Sequence, residues 1–201
     1  GVGGLVATGW GAGATPAPWS AAPLAADRAR GVAAMLKASI APSVSEAIVR
    51  LHADGSVTVL ASTVEMGQGA RTMLSQIAAE VLAVPIARVT VATPDTAITP
   101  YDQSTTSSRS TTMVGRAVME AAEEVRAELL RLGSRRLDVA PASLRLDDGH
   151  VVAGDRRAPY PDLFRDRFGM AGGELIGRGV VAPGRTSAPL GGSTPFWETA
   201  V

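Results

Sequence analysis

The alternation of apolar and polar positions lays out most of the elements. Ala47, Val49 and Leu51 alternate with Ile48, Arg50 and His52. Asp54-Gly55 follows, and Val57, Val59 and Ala61 alternate on the far side. A period of two predicts strands, and Asp-Gly between two such runs is among the strongest short-range signals of a hairpin. The return strand leads into Glu65-Met66-Gly67-Gln68-Gly69. Beyond that, Met73, Ile77 and Val81 recur every fourth residue, which predicts a helix with those three on its buried stripe, ended near Val84 by Pro85. Ile86–Ala92 reads as a strand, and Pro94–Ser110 as a polar segment dense in Ser and Thr. Val114, Val118, Ala121, Val125, Leu129 and Leu132 then form one face of a long helix starting near Ser110, with Gly133 placed as its C-terminal cap.

Weaker patterning fills in the rest. Leu144 and Leu146, Asp148-Gly149, and Val151 and Ala153 predict a second, smaller hairpin. Pro161–Phe168 predicts a short helix, and Gly31–Ile40, Gly172–Ala182 and Phe196–Val201 predict strands. The fold class expected is α+β: strand-loop-helix units with β-hairpins. Residues 1–28, rich in Gly, Ala and Pro, are expected to be a flexible lead-in to a domain over 29–201. Gly1 at one end and the apolar stretch from Pro195 to Val201 at the other read as the ends of a piece of a longer protein, with Phe196 and Trp197 packing against the remainder.

Composition excludes several functions. Lys+Arg and Asp+Glu are 19 each, so no net field recruits nucleic acid or an anionic membrane. There are no cysteines, which removes disulfides and iron–sulfur ligation from this chain, and two histidines are too few for a zinc site. No apolar run approaches the ~20 residues that a spanning helix needs. A reducing, cytoplasmic location fits the absence of Cys.

Local geometry still allows a small phosphorylated ligand. A helix N-terminus presents unpaired amides and the positive end of the dipole, and glycines let a ligand approach the backbone. Gly67 and Gly69 stand at one such start, with Gln68 offering a donor and an acceptor between them. At the second start stand the hydroxyls of Ser107, Ser108, Ser110 and Thr111 and the Arg109 guanidinium, a forked donor suited to phosphate. Neither segment matches a Walker or Rossmann motif. Taken singly, each also reads as a tight turn or an ordinary helix cap.

In order, Val64-Glu65-Met66-Gly67-Gln68-Gly69, Thr72, Gln76, Thr99-Pro100-Tyr101-Asp102, Ser107-Ser108-Arg109-Ser110-Thr111, Gly115 and Ala117 carry a resemblance. Leu175-Ile176-Gly177-Arg178-Gly179 and Pro195-Phe196-Trp197-Glu198 extend it. The chain from about Arg30 to Val201 resembles the large subunit of the xanthine oxidase family of molybdenum hydroxylases. That family includes xanthine dehydrogenases, aldehyde oxidoreductases, carbon monoxide dehydrogenases and N-heterocycle hydroxylases. The resemblance implies a molybdenum-cofactor-binding subdomain. Met66, Gly67, Gln68 and Gly69 would lie at the pterin and molybdenum end of the cofactor. Ser107, Ser108, Arg109, Ser110 and Thr111 would lie at its phosphate and pterin groups. It further implies the cytosine dinucleotide form of molybdopterin, iron–sulfur and FAD groups on partner chains, the remainder of the large subunit as a partner, and a small-molecule substrate. The activity implied is hydroxylation of an aldehyde, an N-heteroaromatic compound or a similar molecule with water-derived oxygen. A truncated, non-catalytic remnant of such a subunit and a generic phosphate-binding module are the alternatives.

No catalytic base is expected in this chain. Gly173-Glu174-Leu175 lacks the proline context of the family's base and falls in a strand. Glu65 is expected to pin its loop through backbone amides, and Asp95 and Asp102 to cap turns. Tyr101 is expected either to pack or to line a pocket. His52, His150, Arg135-Arg136 and Arg156-Arg157 are expected at the surface, and Met35, Met73 and Met113 in packing.

Overall fold

A computed structural model describes residues 43–182 and, as backbone alone, the strands β1 (Ala33–Lys37) and β9 (Phe196–Ala200). The expectations for residues 1–28, for the Met35 side chain and for the packing of Phe196 and Trp197 lie outside the described residues. Strands β1 and β9 pair as a two-stranded sheet. They belong mainly to a separate unit (residues 1–36 and 197–201), distinct from the one formed by residues 37–196.

The larger unit is built on a four-stranded sheet. Strands β2 (Ser45–His52) and β3 (Val57–Ala61) form the expected hairpin, with Gly55 at a φ of 82° and Asp54 Oδ1 accepting from the Ser56 amide at 2.9 Å. Helix α1 (Ala70–Leu82) then crosses to β4 (Val89–Val91), which lies parallel to β3. The long helix α2 (Gly115–Leu137) follows. Strand β8 (Glu174–Val181) closes the sheet antiparallel to β2, in the order β4-β3-β2-β8. A three-stranded sheet, β5 (Arg145–Asp147), β6 (His150–Ala153) and β7 (Arg156–Pro159), and helix α3 (Tyr160–Phe168) complete the unit. This is the α+β arrangement expected. Strand β7 has no counterpart among the predicted elements: Arg156 and Arg157 sit on it, at the surface as expected, and Arg157 reaches Asp147 at 3.4 Å.

The strand register explains how α2 is seated. On the buried face, Ala61, Ala47 and Gly179 form one row, Val59, Val49 and Gly177 the next, and Val57, Leu51 and Leu175 the third. Side chains shrink toward the first row, so the helix lies closest there. A Cβ on Gly179 would stand 1.8 Å from the Ala117 carbonyl oxygen, and one on Gly177 2.0 Å from that of Ala121. Backbone rests on backbone at these two points, a contact that only glycine permits. The α2 face Val114, Val118, Ala121, Val125, Leu129 and Leu132 is buried as its periodicity indicates.

Two helical expectations are corrected. The deepest residues of α1 are Leu74, Ala78 and Leu82, one position on from Met73, Ile77 and Val81, which are partly buried. The reason is that α1 packs against both α2 and the sheet, so two adjacent stripes meet protein. Gly133 does not cap α2, which runs on to Leu137 and ends at Asp138 with a φ of 48°. It makes room for β6 instead, since a Cβ there would stand 2.4 Å from Val151 Cγ1. Arg136, within α2, binds Asp162 and Asp166 of α3 rather than standing free in solvent. Behind these, the buried Tyr160 hydroxyl donates to the Leu82 carbonyl at 2.7 Å and ties α3 to the end of α1.

The glycine contacts give a direct prediction. Gly179→Ala drives a methyl into the α2 backbone and is expected to lower unfolding free energy by about 3 kcal/mol or more, at the upper end of overpacking costs. Gly154→Ala, where φ is 57° and the space is open, is expected to cost about 1 kcal/mol. Denaturant unfolding of the two variants checks the ranking, and equal costs would contradict the seating described.

Candidate functional site

The chain leaves β3 at its carboxyl end as Ser62-Thr63-Val64 and turns through Glu65–Gly69 into α1. This glycine loop holds itself together. Glu65 Oε1 accepts from the amides of Gly67 (2.9 Å) and Gly69 (3.0 Å), and its Oε2 accepts from the amide of Arg71 (3.0 Å). Gln68 closes the other side: its Oε1 accepts from the Met66 amide at 2.6 Å, and its Nε2 donates to the Val64 carbonyl at 2.7 Å. Gly67 and Gly69, at φ of 97° and 79°, take the left-handed conformations that this shape requires. The Arg71 amide, and after it that of Gly69, hold the Glu65 carboxyl below the ordinary carboxylate range.

Glu65 therefore pins the loop as expected, and this corrects a second expectation. The start of α1 is not an open anion seat, because the chain's own carboxylate already sits on it. Gln68 likewise uses one donor and its oxygen within the loop, which leaves the second N–H of its exposed amide. What the loop turns outward is the Met66 side chain, 67% exposed, and the glycine faces, where an added Cβ would meet nothing within 4 Å.

The second loop lies beside the first. Thr63 Oγ1 meets Thr105 Oγ1 at 3.1 Å and Ser110 Oγ at 2.9 Å, and the Val64 amide donates to Thr105 Oγ1 at 2.8 Å. Ser62 Oγ, one residue earlier, donates to the Pro100 carbonyl at 2.5 Å. The sequence segments around Glu65 and Ser107, some forty residues apart, are thus joined through the buried Thr63 hydroxyl and partly buried partners. Ser107 and Ser108 follow with φ of 51° and 52°, conformations that non-glycine residues rarely adopt and that tend to mark functional loops. A π-helical turn, Ser110–Val114, then opens into α2. Such turns recur at functional sites. Among the described residues, the hydroxyls of Ser107, Ser108 and Thr111 have no hydrogen-bond partner, whereas that of Ser110 is engaged by Thr63.

Arg109 requires the largest correction. Its side chain is fully buried, so its fork is not offered to a phosphate. Nε donates to Ser43 Oγ (3.0 Å), Nη1 to Asp102 Oδ1 and the Ser104 carbonyl (both 2.6 Å), and Nη2 to Ser45 Oγ (2.6 Å) and the Val44 carbonyl (3.3 Å). All five N–H groups are committed inside the fold. Asp102 is the buried partner of this guanidinium rather than a turn cap. Its Oδ1 also accepts from Ser45 Oγ at 2.7 Å, while Oδ2 is buried without a partner among the described residues. The Asp102–Arg109 spacing of seven within a Ser/Thr-rich segment was the one signal of this pair in the sequence. Asp95 does cap a turn, accepting from the Ala97 amide at 2.8 Å, and Tyr101 is 59% exposed.

Elsewhere, Glu174 forms a two-pronged ion pair with Arg50 at 2.7 and 2.8 Å, and that pairing holds its carboxyl below the ordinary range. His52 lies half-buried in β2 beside Thr58, and His150 in β6 is also half-buried. Among the described residues no group of three or more His, Cys, Asp or Glu is placed to hold a metal ion, and no helix is long and apolar enough to cross a membrane.

Two outcomes follow. Removing one partner of a buried pair strands the other, so Arg109→Ala is expected to destabilise the fold by about 3–5 kcal/mol in denaturant unfolding. A loss below about 1 kcal/mol would show that the pair is not buried as described. Because the folded Glu65 carboxyl is held low, the loop's stabilisation is complete above the ordinary carboxylate range and is lost as pH falls through the lower, folded value. The amide proton shifts of Gly67, Gly69 and Arg71 should titrate together with a midpoint below that range. In Glu65→Gln this titration should vanish.

Comparison with known proteins identifies the family and the fold. The profile of the molybdopterin cofactor-binding domain family matches residues 12–197. The chain is 30% identical over 176 residues to the probable hypoxanthine oxidase XdhD of Escherichia coli strain K12, covering 86% of this chain and 18% of that protein. It is 33% identical over 108 residues to the carbon monoxide dehydrogenase large chain of Hydrogenophaga pseudoflava, covering 53% of this chain and 13% of that one. Among solved structures, quinoline 2-oxidoreductase from Pseudomonas putida 86 superposes with a TM-score of 0.66 at 25% identity, over 77% of this chain and 22% of that one. Carbon monoxide dehydrogenase from Oligotropha carboxidovorans shares the fold, with a TM-score of 0.67 at 23% identity over 77% of this chain and 21% of that one. The chain thus spans only a small part of the length of these relatives, 18% in the first case. With a family profile covering nearly its whole length and the fold of these large subunits, the chain belongs to the molybdopterin cofactor-binding domain family of xanthine dehydrogenase-type proteins.

Proposed function

We propose that this chain is the part of a molybdenum hydroxylase large subunit that seats the phosphate and pterin end of the cofactor. The reaction served is hydroxylation of an aldehyde, an N-heteroaromatic compound or a similar small substrate with water-derived oxygen. The observation that carries this reading is the set of unengaged hydroxyls on Ser107, Ser108 and Thr111, at a strained turn joined by Thr63 and Thr105 to the glycine loop.

The residues present fit such a group. Hydroxyls are the donors that complete the shell of a phosphate, and those of Ser107 and Ser108 stand on the loop that the buried Arg109–Asp102 pair anchors. The open faces of Gly67 and Gly69 leave room for a flat ring system against the backbone. Glu65 is bound by three amides and turns no free carboxylate oxygen toward an anionic ligand. In this reading Ser107, Ser108 and Thr111 hold the phosphate groups, Ser110 joins the loops, and Met66, Gly67 and Gly69 form a wall shaped by Gln68. When bound, the cofactor supplies the two-electron redox chemistry. The chain's own residues bind and orient it, and the exposed Met66 excludes water from one side. In this reading the general base comes from another part of the large subunit, and Glu174 is engaged with Arg50.

The same reading takes the cofactor as the cytosine dinucleotide form. It places iron–sulfur and FAD groups on partner chains, the rest of the large subunit around this domain, and the assembly in the cytoplasm. It is tested in the full-length subunit with Ser107→Gly/Ser108→Gly. Glycine accepts the positive φ at both positions, so thermal stability should hold or rise, while both hydroxyls are lost. Molybdenum and pterin phosphate retained after purification should fall at least tenfold, since each hydrogen bond lost to a charged group is worth about 1.5–3 kcal/mol. A full complement of both in the variant would reject the assignment.

A further inference from the structure

The Arg109–Asp102 pair does more than fill the core, because of where its contacts lead. Three of the five acceptors around the guanidinium belong to one short stretch at the start of β2: Ser43 Oγ, the Val44 carbonyl and Ser45 Oγ. The other two, Asp102 Oδ1 and the Ser104 carbonyl, bracket the near end of the second loop. Around the same point Asp102 bridges to Ser45, and the Glu46 amide donates to the Tyr101 carbonyl at 2.9 Å. The backbone of Arg109 meanwhile governs the far end. Its amide donates to the Thr106 carbonyl (3.1 Å) and its carbonyl accepts from the Met113 amide (2.8 Å) at the opening of the π turn.

Between these two anchored ends stand Ser107 and Ser108, both at positive φ and with free hydroxyls. Two successive left-handed non-glycine residues persist only where their surroundings over-determine them. Thr63 holds Thr105 and Ser110 on either side of them, and Arg109 adds an anchor of its own: its side chain fixes the loop to the sheet while its carbonyl accepts from Met113 at the start of the π turn. Lysine is no substitute, since three donors on one nitrogen cannot meet five acceptors spread around a planar fork.

We propose that Arg109, together with Asp102, is a positioning residue: it touches no ligand and holds Ser107 and Ser108 in the conformation that receives a phosphate. The proposal rests on the reading of this loop as the cofactor's phosphate seat. Its strength comes from the conjunction of a fully buried guanidinium, five committed donors and two strained hydroxyl-bearing neighbours.

The test uses the full-length subunit produced in a host that makes no molybdopterin, with inorganic pyrophosphate as the probe. Arg109→Lys keeps the charge beside Asp102 and is compared with the native protein and with Ser107→Gly/Ser108→Gly. The readouts are pyrophosphate affinity, hydrogen exchange over residues 104–110 and thermal stability, all at a temperature where every variant is folded. Arg109→Lys is expected to exchange about tenfold faster in that window alone and to bind pyrophosphate about tenfold more weakly, one decade each on the free-energy scale. Asp102→Asn serves as the second variant if lysine unfolds the chain, and the same pattern is expected of it. Lowered thermal stability with native affinity and native local exchange would reduce the pair to a structural role and overturn the proposal. Faster local exchange with unchanged affinity would also overturn it while leaving the cofactor reading intact. If the native protein and the double glycine variant bound pyrophosphate equally, the seat itself would be wrong and the proposal would fall with it.

Discussion

Everything at the candidate site depends on how closely α2 approaches the sheet. Gly177 and Gly179 remove the side chains that would hold the helix away, so the carbonyls of Ala121 and Ala117 rest on strand β8. The graded rows of the buried face, from Leu51, Val57 and Leu175 down to Ala47, Ala61 and Gly179, bring the first turn of the helix lowest where β3 ends. A strand end and a helix start are thereby brought level. The two loops that leave them become neighbours, close enough for Thr63 to reach Ser110. A packing decision made by two glycines in the last strand of the sheet thus sets the geometry of residues more than a hundred positions earlier in the chain.

Much of the fold was legible because it follows from short-range periodicity. Asp54-Gly55 between two alternating runs admits few structures other than a hairpin, and six apolar residues at helical spacing from Val114 to Leu132 define a single buried face. What was not legible depended on contacts distant in sequence. Gly133 lies near the end of the apolar pattern and so reads as a cap, yet its reason is Val151, which no local rule connects to it. The stripe of α1 shifted by one residue because the helix is covered on two sides. Strand β7 has Arg156 and Arg157 exposed, and only Ala158 is buried, so it carries no alternation to find.

The candidate site divides the same way. Which residues gather was visible only through the ordered combination of segments that carried the resemblance, because Gly, Ser and Thr at a single helix start read equally well as a turn or a cap. The role of Glu65 was visible, but how Arg109 and Gln68 are employed was not. An arginine after two serines and a glutamine between glycines both look like groups that face a ligand. In the structure Arg109 turns into the protein, and Gln68 bonds back onto its own loop. The rule that buried polar groups must be satisfied decides this, and its terms are the positions of amides and carbonyls that a sequence does not display. Arg109 illustrates it best, since its acceptors at Ser43 and Ser45 lie 66 and 64 residues away.

The self-bracing of the glycine loop has a consequence for how this surface meets whatever it receives. A loop whose carboxylate and amide side chains already answer its own backbone holds its shape without a ligand. Under the proposed function it is expected to keep that contour on contact. Recognition at such a surface is a comparison of shapes rather than a joint rearrangement, so the entropic cost of ordering the loop is met during folding and does not weaken the encounter. The corollary is intolerance: a ligand of slightly wrong outline finds a wall that does not yield, and selectivity is exercised at admission instead of after it.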